Sequence, residues 1–138
     1  ALLSAGSAKT ALDIMHDEEF FPLRQEVLFF NESLAAKDAE QIIAQCTLWK
    51  ANKAKAALIL SFSAFWYRDL LIRRVTNTDE LIFNRDCSQA YQNFNENADF
   101  FAILELIDKY QRFLKQNVYP ELTLIVCFLQ ISAILKQD

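Results

Sequence analysis

The feature that most constrains this chain is a run from Ala51 to Val75 that contains neither glycine nor proline. Such an uninterrupted stretch predicts one long helix. Apolar side chains cover nearly the whole circumference of that helix, and its most apolar sector contains Leu58, Phe62, Phe65 and Ile72. A helix that is apolar on nearly all sides is normally buried by its neighbours. We therefore expect this hub helix to occupy the centre of the fold.

One charged residue of the hub helix, Asp69, projects into the apolar sector, where a lone carboxylate would be costly to desolvate. Arg73 lies one turn later on the same face, and an acid that precedes a base in this way is the favourable order. We predict a structural ion pair between Asp69 and Arg73. The alternative is a catalytic acid, which is disfavoured because no second carboxylate and no histidine share that face.

Caps and breaks divide the rest of the chain into further helices. Asp38 and Gln41 have the spacing of a capping box, and Pro120 suits the first turn of a last helix. The segment Thr76-Asn77-Thr78-Asp79 predicts the turn that ends the hub helix. One glycine and two prolines in 138 residues leave few tight turns. We predict an all-α fold, a single helical bundle of about five to six helices.

The composition limits the possible functions. A hydrophobic content of 53% with 13% aromatic residues is high for a domain of this size, so part of the apolar surface is expected to belong to an interface. The net charge of −4 argues against a dedicated nucleic-acid surface, which needs a clustered basic excess. The many phenylalanines also leave open a bundle that encloses an apolar ligand.

No arrangement of reactive side chains predicts catalysis, metal binding or a cofactor. Cys46, Cys87 and Cys127 are widely spaced and form no Cys-x-x-Cys motif, which is typical of reduced thiols in a cytosolic protein. The single histidine, His16, precedes acidic residues and is expected at the surface.

We expect no signal peptide, and the longest apolar segment, 122–135, is shorter than the ~20 residues that span a bilayer. These observations predict a cytoplasmic location without a membrane partner.

The last helix carries two apolar stripes. We expect one stripe to pack on the hub helix, and it consists of Leu124, Cys127, Phe128, Ile131, Ile134 and Leu135. The other stripe is our candidate subunit interface, and it consists of Leu122, Ile125, Val126, Leu129 and Ala133. Because the hub helix fills the central place, we expect this terminal helix to lie at the edge of the bundle. The alternative is that both stripes belong to the core.

Three segments resemble one known family. Trp66-Tyr67-Arg68-Asp69-Leu70-Leu71, late in a helical domain, resembles the C-terminal region of bacterial DNA polymerase III clamp-loader subunits, most closely those of the delta-prime type. The segment 116–124 resembles that family's N-V-N-P-x-L-A-L turn into the last helix, with Tyr119 in place of the usual Asn. The segment 4–12 resembles the G-S-x-R-x-A-L segment that closes the lid of AAA+ modules.

The resemblance implies a division of the chain and a role for it. Residues 1–16 would be the tail of an AAA+ lid domain, and residues 17–138 a helical collar domain that holds the subunits together. Lys9 occupies the position of the basic residue that faces nucleotide in ATP-hydrolysing relatives, but the phosphate loop is missing from this chain. The resemblance implies a scaffold with no enzymatic activity or cofactor of its own. Its partners would be other clamp-loader subunits, and the sliding clamp and DNA would be reached only through the whole complex.

Two alternatives remain open. A gamma/tau or delta subunit of the same complex has a similar collar domain, so the resemblance does not separate these subunits. The other alternative is the unrelated all-α bundle that binds an apolar ligand.

Overall fold

A computed structural model describes residues 17–78, 80–82, 84, 86, 98–116 and 119–137 of the chain. Within these ranges the protein is all-helical and contains no strand, which confirms the predicted fold class. The elements are α1 (Asp17–Glu32), a short 3-10 helix (Leu34–Ala36), α2 (Ala39–Trp49), α3 (Lys53–Thr76), α4 (Phe100–Lys115) and α5 (Pro120–Leu135). The lid tail predicted at 1–16, with Lys9 and His16, lies outside the described residues, as does Cys87.

The helix boundaries lie where the local chemistry predicts them. Asp38 accepts a hydrogen bond from the Gln41 backbone at 2.8 Å, and the Gln41 side chain accepts one from the Asp38 backbone at 2.9 Å. This confirms the capping box at the start of α2. The hub helix, α3, ends at Thr76, and Asn77 follows in the left-handed conformation with φ of 54°. Asparagine is one of the few residues that adopt this conformation readily, which explains the turn.

The prediction of a buried hub helix is confirmed. α3 packs against α1, α4 and α5. Twelve of its residues are buried, and they lie on every side of the helix: Ala56, Leu58, Ile59, Leu60, Ser61, Phe62, Ser63, Ala64, Trp66, Tyr67, Asp69 and Leu70. Neighbours on several sides therefore remove the apolar circumference of α3 from water.

The terminal helix keeps one open face but has more neighbours than the hub helix alone. α5 packs against α2, α3, α4 and the 3-10 helix. The first stripe of α5 explains this position, because Leu124, Cys127, Phe128 and Ile131 have no exposed surface. So long an apolar stripe needs cover from more than one neighbour, and the hub helix alone cannot provide it.

An aromatic cluster joins α5 to the first half of the chain. The ring of Phe128 lies 4.9 Å from that of Phe30 on α1 and 6.1 Å from that of Trp49 on α2. The rings of Phe30 and Trp49 are 5.1 Å apart in an edge-to-face arrangement. Such aromatic contacts add to the stability that burial of the rings already provides. The cluster fixes α5 on the bundle through its inner stripe.

We predict that Phe128→Ala lowers the free energy of unfolding by about 3–5 kcal/mol, because it leaves a cavity beside two aromatic rings. The matched control is Phe29→Ala, since Phe29 is 67% exposed. That change is expected to alter stability by less than about 0.5 kcal/mol. Denaturant unfolding of both variants measures the difference, and equal losses would contradict the assignment of Phe128 to the core.

Candidate interaction surface and buried polar network

The candidate interface residues of α5 form an outer stripe that the bundle covers only in part. We call Leu122, Ile125, Val126, Leu129 and Ala133 the α5 outer stripe. Leu122 is 54% exposed and Ala133 is also exposed. Ile125, Val126 and Leu129 are half-buried and pack against the edge of the core. The two stripes of the helix therefore differ in burial, and only the inner stripe is core throughout, apart from the half-buried Ile134.

The start of α5 extends the apolar surface. Tyr119 precedes the helix, is 78% exposed and makes no side-chain cap to α5. The cap that the usual Asn of the resembling family would provide is therefore missing in this chain. Leu122, one turn later, continues the exposed apolar surface. Pro120 begins the helix, as predicted, and gives this end a fixed backbone geometry.

α4 lies beside α5 and holds it through a polar contact. The Tyr110 hydroxyl donates a hydrogen bond to Gln130 Oε1 at 2.8 Å. Further along the two helices, an open groove of about 610 Å³ runs between α4 and the end of α5. Its walls are formed by Ala102, Glu105, Leu106, Asp108, Lys109, Arg112 and Ile134. The groove is a feature of the surface, with apolar walls and charged rims.

Asp69 is fully buried in the structure, and its described contacts come from a residue that the sequence did not indicate. Asp69 Oδ2 accepts hydrogen bonds from the backbone N–H of Asn84 at 2.8 Å and from Asn84 Nδ2 at 3.0 Å. Arg73 is half-buried one turn away, and its ion pair with Asp69 stays a prediction. A carboxylate without exposed surface cannot reach a substrate in this conformation, which disfavours the alternative of a catalytic acid.

Asn84 connects the hub helix to α1. Asn84 Oδ1 accepts a hydrogen bond from Arg24 Nη2 at 2.7 Å, and Arg24 also forms a two-pronged ion pair with Asp86 at 2.7 and 3.1 Å. The guanidinium hydrogen bond holds the pKa of the Asp86 carboxyl below its ordinary value of 3.8. We call Asp69, Asn84, Arg24 and Asp86 the polar network. It ties three separate parts of the chain together.

Two further polar contacts hold the hub helix. Asn31 on α1 is fully buried and donates to Ser63 Oγ at 2.9 Å. Gln111 on α4 donates to Ser61 Oγ at 3.1 Å. The sequence analysis missed Asn31 and Gln111. The signal that could have found them is the pair of serines within the otherwise apolar stretch 56–66 of the hub helix, because a buried hydroxyl needs a partner.

One further hydroxyl and two thiols lie deep in the bundle. The Tyr67 hydroxyl is fully buried, and it has no hydrogen-bond partner among the residues that the structure describes. Burial raises its pKa well above 10. The thiols of Cys46 and Cys127 are also buried, and burial raises the pKa of Cys46 to about 12. At neutral pH both cysteines are therefore uncharged members of the core.

The described residues contain no group of three or more His, Cys, Asp or Glu side chains that could hold a metal ion. In the same parts of the chain, no helix has the length and apolar character needed to cross a membrane.

Comparisons with protein-family models, with curated proteins and with solved structures found no match to this chain.

We predict that Asp69→Ala destabilises the fold by about 3–5 kcal/mol, because two buried donors of Asn84 lose their acceptor. A double-mutant cycle with Arg73→Ala tests the ion pair separately. A coupling energy above about 0.5 kcal/mol is expected if Asp69 and Arg73 interact. Chemical denaturation of the four proteins gives these values. An Asp69→Ala variant with the stability of wild type would contradict the structural role of Asp69. A coupling energy of zero would contradict only the ion pair between Asp69 and Arg73.

The lowered pKa of Asp86 predicts a pH dependence of stability. A carboxyl whose pKa is lower in the folded state stabilises the protein above its unfolded pKa of about 3.9, and this contribution is lost as the pH falls through the folded value. We expect wild type and Asp86→Asn to differ by a constant amount between neutral pH and about pH 5, and the difference to shrink in more acidic solution. Urea unfolding of both proteins, from neutral pH into acidic solution, measures this difference in the free energy of unfolding. Arg24→Gln should show the same acidic convergence, and parallel curves down to the lowest pH would contradict the pairing.

Proposed function

We propose that this chain is the helical collar domain of a bacterial DNA polymerase III clamp-loader subunit, most like the delta-prime subunit. In this role it is an assembly domain that packs with other subunits into the collar, while the rest of the complex loads the sliding clamp in DNA replication. The proposal is supported by the motif at 66–71, by the segment 116–124 and by the all-helical architecture. In this chain the motif at 66–71 lies on α3, and residues 120–124 of the second segment begin α5. These two helices pack against each other.

The observation that carries the proposal is the α5 outer stripe. Its five residues are apolar, yet none of them is fully buried, whereas four residues of the inner stripe have no exposed surface. An apolar strip that is left partly open on a well-packed bundle is typical of a surface that meets another protein. Leu122 and the neighbouring Tyr119 are the most exposed large apolar side chains of this surface.

The bundle is suited to hold such a surface in a fixed geometry. The inner stripe of α5 is fixed by the Phe30, Trp49 and Phe128 cluster, and its α4 side is fixed by the hydrogen bond between Tyr110 and Gln130. A partner therefore meets a helix that is already ordered. Less conformational entropy is lost on binding to a surface of this kind.

The proposal includes the division of the chain into a lid tail at 1–16 and a collar domain at 17–138. It also includes a cytoplasmic location, a hetero-oligomeric complex with other clamp-loader subunits, and no ATP binding or catalysis by the chain itself. Within the same complex, a gamma/tau or delta collar is the closest alternative, and the identity of the subunits that bind separates them.

We predict that Leu122→Glu combined with Ala133→Lys abolishes binding to the partner subunits and leaves the fold intact. Both positions are exposed, and each new charge suits its end of the helix dipole, so the change in stability should be below about 0.5 kcal/mol. Ile125 and Leu129 are less suitable, because both also pack on the core. The measurement is co-elution of the chain with purified clamp-loader subunits in size-exclusion chromatography.

The matched control is Ala44→Glu combined with Leu48→Lys on α2. These residues are also exposed, and the pair introduces the same two charges at another apolar surface. The control should bind as wild type does, with a melting temperature close to that of the α5 variant. No co-elution of the wild-type chain with any clamp-loader subunit would contradict the proposed function. Equal binding by the α5 variant and wild type would contradict the location of the interface.

A further inference from the structure

The outer face of α4 carries four charged residues in the order acid, acid, base, base. They are Glu105, Asp108, Lys109 and Arg112, and all four line the groove between α4 and α5. Asp108 and Arg112 form an exposed ion pair at 3.2 Å, with 43% and 67% of their side chains accessible. Glu105 has no ion-pair partner within the described part of the chain. Each acid precedes a base by four positions, which is the favourable order within one helix, and the same order makes this face complementary to itself.

We propose that this face of α4 binds a second copy of the same chain, with the two α4 helices antiparallel across a two-fold axis. The axis passes between Asp108 and Lys109. In this arrangement Glu105 of each copy faces Arg112 of the other, and Asp108 of each copy faces Lys109 of the other. A two-fold interface requires a surface that is complementary to itself, and this charge order has that property only when the helices are antiparallel.

The dimensions of α4 agree with this pairing. Glu105 and Arg112 are seven positions apart, or about 10 Å along the axis at 1.5 Å per residue, so each lies about 5 Å from the two-fold axis. Asp108 and Lys109 lie next to the axis. Four intermolecular ion pairs therefore form along a contact of two to three helical turns. The small side chain of Ala102, with Leu106 and Ile134, gives apolar walls for the aliphatic parts of the charged side chains.

Electrostatic pairs of this kind determine orientation and register more than affinity. The dimer is accordingly weak and depends on salt, since exposed charge pairs are screened. A contact along one helix face is at the small end of the range for protein interfaces. This inference does not rest on the proposed function, because it concerns the chain alone and uses residues that do not belong to the α5 outer stripe.

Charge reversal tests the pairing. In Glu105→Lys, the introduced lysine of each copy would face Arg112 of the other copy. In Arg112→Glu, the introduced glutamate of each copy would face Glu105 of the other. Each variant alone should therefore be monomeric at concentrations where wild type dimerises. A mixture of the two variants should dimerise, because every facing pair in the mixed dimer has opposite signs. Sedimentation equilibrium at low salt, from micromolar to millimolar concentration, measures all of these states.

Two controls keep the test specific. Glu40→Lys makes the same charge change at an exposed position of α2 and should dimerise as wild type does. The double variant Glu105→Lys with Arg112→Glu restores opposite charges between two of its own copies and should dimerise with itself but not with wild type. These two results replace the single variants if one of them does not fold. A monomeric wild type, single variants that still dimerise, or a mixture that stays monomeric would each overturn the proposal.

Discussion

The structure depends on the burial of α3 on nearly all sides. Water does not reach a carboxylate or hydroxyl that is buried on such a helix. Three of these groups have partners from other parts of the protein, whereas the Tyr67 hydroxyl has none among the described residues. Asp69 is held by Asn84, Ser63 by Asn31 and Ser61 by Gln111. Each contact comes from a different part of the chain. The polar residues of the hub helix thereby fix the positions of α1, α4 and the segment that follows α3.

The same constraint explains why α5 has two unlike faces. α3 is covered by α1, α4 and α5, and α5 also packs on α2 and α4, so that its inner stripe closes the core. The opposite face has no further helix to meet in the described bundle, and its apolar residues remain half-exposed. An assembly role for this face is consistent with the way the core is built, since the helix is anchored independently of any partner.

The two proposed surfaces differ in their chemistry. The α5 outer stripe is apolar and suits a stable contact with another type of subunit, where burial of apolar area supplies the affinity. The α4 face is charged and complementary to itself, which suits a weaker contact between identical chains. The two surfaces therefore predict different responses to salt, with the α4 contact weakened as salt is raised and the α5 contact much less affected.

The sequence by itself determined the all-helical fold, the capping box of α2 and the burial of the hub. These features depend on contacts between residues a few positions apart and on the period of the apolar pattern, which the sequence displays directly. It also indicated the two stripes of α5. Only the tertiary structure decided which stripe is covered, that α5 packs on several helices and that Asn84 is a partner of Asp69. Asn84 lies 15 positions from Asp69, and Arg24 lies 60 positions from Asn84, so no local pattern connects them; their contact exists because packing of the bundle brings distant segments together.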